Sequence, residues 1–399
     1  MKIGFIAHYN PHDRRAWSGT YSAIIDQLQK YYEVELLYAK LNFFQKEYFF
    51  EQRNWYRWVK KKLLVVDFLR SFSKVSSRKL DRMLKDKHFD LLVAPASNQR
   101  FAYSKTTLPI IIIADATFVA LNEYYHMYSN VPKRNYEQGV ELDKRAYHKA
   151  AHIICASEWA TDSVIQDYKI SPEKISVIPF GPNLEHLPAQ IEMNWQRKDV
   201  CKLLFLGVDW KRKGGNIALT ALDELERLGL KVHLTIIGCI PPVVLDKTKV
   251  TVIPFLNKNI PEEERELFDQ IEHADFFILP TRAECAGIVF CEASAFGLPI
   301  VSTDTGGVST YVVKNKNGFL LPLTDDGEGF ARKIHEVFTD VERYKKLRQS
   351  TLEYYHQNLT WNAWGKRFKV IAEQVTAMVQ GTDRSLLLPL LHLLLLPCA

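Results

Sequence analysis

No uninterrupted apolar run in this chain of 399 residues reaches the roughly 20 residues that a membrane-spanning helix needs. None of its six cysteines (Cys155, Cys201, Cys239, Cys285, Cys291 and Cys398) forms a C-x-x-C pair or a ligand-spaced cluster with histidine. That argues against zinc, and no metal site is expected. Most of the thiols sit singly in apolar stretches, which fits a reducing compartment. Charge of one sign is scarce as well. The 52 Lys and Arg against 46 Asp and Glu leave a net +6, far from the dense basic stripe of a nucleic-acid binder. So mild an excess suits an anionic small substrate or an anionic membrane surface. The opening Met1-Lys2-Ile3-Gly4-Phe5-Ile6-Ala7-His8 turns polar too soon for a signal peptide and reads as a buried strand. The expectation is a cytoplasmic protein.

What is present is material for folding. Hydrophobic residues make up 47% and charged residues 25%, an ordinary globular balance with enough length for two domains. Short apolar runs at 2–8, 33–38, 90–95, 110–114 and 152–156 alternate with helical patterns at 20–29, 55–72, 136–150 and 157–168. Buried strands followed by helices predict a parallel sheet covered on both faces. A polar stretch, 183–200, carries Pro188 and Asn194 and reads as a linker. The alternation then restarts, with strands expected at 202–207, 231–238, 250–255, 275–279, 300–303 and 319–322. Helices are expected between them at 216–228, 261–273, 288–296 and 329–339. Asn259, ahead of Pro261 and three glutamates, suits a helix start, and Gly297 before Pro299 suits a helix end. A last helix is expected over 361–378. The Leu-rich stretch 381–399, broken by Pro389 and Pro397, is low in complexity and reads as a disordered extension, with a weak interfacial anchor as the other reading.

Two such sheets bind ligands outside the carboxyl ends of their strands, and there the candidate chemistry lies. The segment Pro280-Thr281-Arg282-Ala283-Glu284-Cys285-Ala286-Gly287-Ile288-Val289 leads from a strand into a helix that carries Glu292. Helix-start N–H groups and the helix dipole suit phosphate or sugar oxygens, so Ala286, Gly287, Ile288 and Val289 are donor-site candidates. Glu292 is placed to accept bonds from two vicinal hydroxyls, as a ribose presents them, while Glu284 in the loop faces the sugar. Opposite them, Gly207 closes a strand, and Arg212-Lys213-Gly214-Gly215 forms a basic turn able to neutralise a diphosphate. Taken singly, Glu292 and the Arg212–Lys213 pair would be solvated surface charges. Together, each at a strand's carboxyl end, they read as a site.

The E-x7-E spacing of Glu284 and Glu292 and the trailing Ala293-x-Ala295-x-Gly297-x-Pro299 resemble the family 4 glycosyltransferases. So do the turn from Arg212 to Gly215, Ser157-Glu158-Trp159 and Val177-Ile178-Pro179-Phe180-Gly181. The resemblance covers most of residues 1–380. It implies the GT-B fold, an α/β architecture of two Rossmann-like lobes facing across a cleft: an acceptor-side lobe over 1–182 and a nucleotide-sugar lobe over 201–360. It also implies a retaining, metal-independent transfer from a UDP- or GDP-linked sugar, in which Glu284 contacts the sugar, Glu292 the ribose, and Arg212 and Lys213 the diphosphate. Gly19, in Trp17-Ser18-Gly19-Thr20, matches the first-lobe glycine loop. Asp115, after the strand 110–114, stands where relatives often carry an acceptor-side histidine; a turn-capping Asp is its other reading. Val208 replaces a frequent arginine, Gly19 stands without a second glycine, and Thr310 replaces a frequent acid. A catalytically silent nucleotide-sugar-binding subunit and a GT-B-fold nucleotide-sugar epimerase are the alternatives.

One segment remains. Residues 43–64 interleave Phe43, Phe44, Tyr48, Phe49, Phe50, Trp55, Tyr56 and Trp58 with Lys46, Arg53, Arg57, Lys60, Lys61 and Lys62. Either the aromatics are core and the cations a solvated face, or the segment meets an anionic membrane interface that holds a lipid-linked acceptor.

Overall fold

The computed structural model describes residues 1–10, 16–184, 187 and 199–381. His12, most of the expected linker and the Leu-rich stretch after Gly381 lie outside the described residues. The chain divides into two compact units. The first comprises residues 1–156 and 160–178 together with the C-terminal segment from Gly365; the second comprises 157–159 and 179–364.

The first unit is built on a six-stranded parallel sheet: β1 (Lys2–Ile6), β2 (Glu33–Leu37), β3 (Leu91–Pro95), β4 (Ile110–Ala114), β5 (His152–Cys155) and β6 (Ile175–Val177). The spatial order is β2-β1-β3-β4-β5-β6. β3 and β4 are buried along their whole length, the condition in which a parallel strand reads as a continuous apolar run. Register pairs Leu92 with Ile110 and Ile111 with His152.

The second unit repeats the plan with β7 (Val200–Leu206), β8 (Lys231–Ile237), β9 (Val250–Ile253), β10 (Phe276–Leu279), β11 (Ile300–Thr303) and β12 (Gly318–Leu321). Their order is β12-β11-β10-β7-β8-β9, again all parallel. Read from β9, the unit's own strands run 3-2-1-4-5-6, the order of dinucleotide-binding sheets. The order reverses between β7 and β10, the switch point outside whose strand ends such sheets bind ligands. The loops after these two strands carry Arg212, Lys213 and Glu284.

Three expectations need correction. No helix runs over 55–72. Helix Phe43–Trp58 ends before Lys61, whose φ of 53° is left-handed, and a separate helix, Arg70–Leu84, follows. Asn259 is not the cap of helix Pro261–His273: Ile260 holds that position, and Asn259 N donates instead to Asn257 Oδ1 at 3.1 Å. The aromatics of helix Phe43–Trp58 are not core either. Phe49 is buried, but Phe43, Phe44 and Trp58 are 69%, 80% and 65% exposed. A capping box between Asn42 and Gln45 starts this helix. Arg53 lies over Phe50, Arg57 over Trp58 and Lys60 over Trp55, at 5.3, 5.4 and 5.1 Å, so cations and rings share one surface.

Candidate active site

The loop after β7 turns back on the loop after β10. Arg282 N donates to Arg212 O at 2.7 Å, and the Arg212 guanidinium returns a bond from Nη1 to Ala283 O at 2.9 Å. Gly214 makes this approach possible. Its φ is +77°, and a Cβ there would stand 2.0 Å from the Pro280 carbonyl oxygen, so no other residue fits the turn. It also serves as N-cap of helix Gly215–Arg227. Gly207 lies under Lys213, whose aliphatic stem packs where a Cβ would be.

Two acid–base pairs result, the first buried on both sides and the second on its glutamate side only. Lys213 and Glu284 bond through Nζ and Oε2, and both side chains are about nine-tenths covered. The Arg212 guanidinium stands 3.7 Å from the same oxygen. Glu284 is fixed from behind as well, because its carbonyl accepts from Gly307 N at 2.9 Å. Gly287, with φ +69°, begins helix Ile288–Ala295, and Ile288 and Val289 fill its first two positions, where N–H groups have no intrahelical acceptor. Ala286 and Cys285 are buried in the turn before it.

Glu292 sits one turn further, 1% exposed. Its Oε1 accepts from Lys258 Nζ, and its Oε2 is buried with no hydrogen-bond partner among the described residues. Lys258 was not legible as a site residue. It lies 34 positions away, in a loop that looks like helix-start punctuation. A basic residue in the loop after β9 was the one available signal.

In the first unit, Gly19 (φ +90°) is the N-cap of helix Thr20–Gln29. Just before it, Trp17 Nε1 donates to Asp115 Oδ2 at 2.8 Å, so the glycine turn and Asp115 come together. The cap of the short helix Phe118–Leu121 is Thr117, whose hydroxyl accepts from Ala120 N at 3.1 Å. His8 is buried, accepting at Nδ1 from Gln99 Nε2 and Arg100 Nε at 2.8 and 3.1 Å. In the second unit, Thr310 Oγ1 accepts from Glu158 N at 3.0 Å. Among the described residues no group of three or more His, Cys, Asp or Glu could hold a metal ion, and no helix is long and apolar enough to cross a membrane.

The second unit thus sets Lys213 against Glu284 at its switch point and Lys258, from the loop after β9, against Glu292. Comparison with known proteins makes the class specific. Residues 191–353 match the family description "Glycosyl transferases group 1", and residues 23–186 match "Glycosyltransferase Family 4". The chain belongs to the family 4 glycosyltransferases. A D-inositol 3-phosphate glycosyltransferase from Streptomyces bingchenggensis is 27% identical over 216 residues, 50% of this chain and 47% of that protein. The chain spans about half the length of the curated relatives it matches. Among solved structures, the sucrose-phosphate synthase of Thermosynechococcus elongatus superposes with TM-score 0.67 at 14% identity, over 94% of this chain and 99% of that one. Anabaena HepE, solved with UDP and glucose, superposes with TM-score 0.59 at 14% identity, over 94% and 99%. These likenesses establish the GT-B fold.

Proposed function

We propose that the protein is a retaining glycosyltransferase that moves a sugar from a UDP- or GDP-linked donor to an acceptor hydroxyl in glycan, polysaccharide or glycolipid assembly. The observation that carries this reading is Glu292: a carboxylate almost wholly buried, one turn into the helix that follows the switch-point strand β10, with one oxygen lacking a hydrogen-bond partner among the described residues. Burying such an atom without a partner is costly, and a sugar hydroxyl removes the cost.

The neighbouring groups fit the rest of the donor. Lys213 has three N–H donors, one of them spent on Glu284; the others suit a diphosphate, with Arg212 beside it. These two cations meet the phosphate charge without a metal and stabilise the charge that grows on the leaving group. In this reading Glu284 contacts the sugar ring. In this reading the acceptor oxygen bonds to the anomeric carbon on the face from which the nucleotide departs. The carbon–oxygen bond to phosphate breaks, and the hydroxyl proton passes to the leaving diphosphate. A panel of UDP- and GDP-sugars, assayed for free nucleotide with and without acceptor extracts, tests the proposal. Acceptor-dependent release is expected, whereas conversion of the sugar without any acceptor would support an epimerase, and binding without turnover a silent subunit.

The exposed rings and cations of helix Phe43–Trp58 support a second element of this reading, peripheral contact with an anionic membrane that carries a lipid-linked acceptor. Each cation near such a surface adds about 1 kcal/mol. Co-sedimentation with anionic vesicles should fall on raising salt and in a Lys60/Lys61/Lys62→Ala variant, measured in a chain ending at Gly381. Failure of that chain to sediment at low salt would favour a soluble acceptor.

A further inference from the structure

Glu292 alone was expected to read both ribose hydroxyls. The structure divides the carboxylate differently: Oε1 is engaged by the Lys258 ammonium, and Oε2 is buried and unfilled. The Lys258 side chain keeps about a third of its surface exposed, against 1% for Glu292. The pair is therefore open on the lysine side. An ammonium offers three donors and accepts nothing, so with one donor on Oε1 it still has two to give.

We infer that Lys258 is a ligand-binding residue of the donor site, and that the ribose diol is read by the Lys258–Glu292 pair rather than by a carboxylate alone. One hydroxyl donates to Glu292 Oε2; the adjacent hydroxyl accepts from Lys258 Nζ. The pair then discriminates in a way a lone carboxylate does not, because it needs one hydroxyl as donor and its neighbour as acceptor. The ion pair also fixes the rotamer of Glu292. With Oε1 anchored, Oε2 is the oxygen presented. This inference rests on the nucleotide-sugar reading of the site, and the loop after β9 thereby joins the loops after β7 and β10 as a third wall of the same site.

The test is calorimetric titration of the full chain with UDP and GDP, and then with the 2′-deoxy and 3′-deoxy forms of whichever binds more tightly. Wild type should lose about tenfold or more in affinity with each deoxy form, the scale of one hydrogen bond to a charged group. Lys258→Met should lose a similar factor with the ribonucleotide. It should lose nothing further with one of the two deoxy forms, while the other deoxy form still costs about tenfold. Glu292→Gln should show the reverse pattern, becoming insensitive to the other hydroxyl. Removing one member of a buried pair destabilises folding, so Lys258→Gln and the double variant Lys258→Met/Glu292→Gln run beside them, each checked by thermal melting. Penalties for both deoxy forms that persist in a folded Lys258 variant would overturn the inference while leaving the nucleotide-sugar reading intact. Absence of UDP and GDP binding to wild type would overturn that reading, and the inference with it.

Discussion

Each of the two units has a point where its strand order reverses, and the two points are furnished in opposite ways. In the first unit that point lies between β1 and β3, where Arg100 is buried and makes four hydrogen bonds. Its guanidinium donates to His8 O at 2.9 Å, Ala39 O at 3.2 Å, Ser76 Oγ at 3.4 Å and His8 Nδ1 at 3.1 Å. The cation cross-links the strand ends. In the second unit, between β7 and β10, the buried charges are paired but not saturated. Lys213 and Glu284 engage each other, Lys258 engages half of Glu292, and Glu292 Oε2 is left over. Burial of charge is common to both points, so burial alone does not mark a site. A buried carboxylate oxygen without a hydrogen-bond partner among the described residues sets the second point apart.

That contrast is broken most severely at Arg100. Arg100→Met would leave the His8 and Ala39 carbonyls buried and unpaired, at about 1–3 kcal/mol each, or about 4 kcal/mol together. Urea unfolding of the first unit should shift accordingly, while nucleotide affinity in the folded protein stays at the wild-type value. A stable Arg100→Met variant would mean that the network is decoration. Lys213→Ala inverts the pattern. Its melting temperature should fall, because Glu284 is left buried with Arg212 3.7 Å away, but the protein that remains folded should lose about 100-fold in turnover, the scale of one preorganised donor to developing charge. If turnover with the preferred nucleotide sugar survived, the Lys213–Glu284 pair would be structural, like Arg100.

The sequence revealed one half of this contrast better than the other. Strands such as Ile110–Ala114 and helices such as Thr20–Gln29 and Pro261–His273 appear with the expected bounds, because apolar runs and helix-start residues report burial directly. Helix Arg70–Leu84 was missed because the face it buries is made largely of Ser73, Ser76 and Ser77, small polar residues that carry no apolar periodicity. Helix Val341–Asn358 was missed too; its buried face does carry Tyr344, Leu347 and Tyr355, but Arg348 and Thr351 interrupt it, and Arg348 donates to the carbonyls of Phe296 and Gly297. At the site, Glu284, Glu292, Arg212 and Lys213 were legible because two short motifs hold them. The partner of Glu292 was not: Lys258 belongs to neither motif, and only the fold brings the loop after β9 to helix Ile288–Ala295.

The smallest expected effect concerns a third kind of buried charge, one with neither a cation nor a vacancy. Asp143 accepts from Asn98 Nδ2, Phe118 N and Tyr168 OH at 3.0, 2.8 and 3.3 Å. Burial still pushes its carboxyl up to about 6, against an ordinary 3.8, and the three hydrogen bonds offset this only in part. The folded state therefore binds a proton that the unfolded state has already released. The stability this gives is full below about pH 4 and is lost as pH rises through about 6. Integrated between pH 5 and pH 7, the loss is about 1 kcal/mol. Asp143→Asn removes the titration. Asn98 Oδ1, buried without a partner among the described residues, is available to accept from the new amide once the Asn98 side chain turns over. The wild-type unfolding free energy, measured against that of Asp143→Asn, should therefore fall by about 1 kcal/mol from pH 5 to pH 7. A difference that stays flat over this range would place Asp143 among the saturated charges with Arg100, held ionised by its donors, and would leave Glu292 as the buried carboxylate whose environment is incomplete.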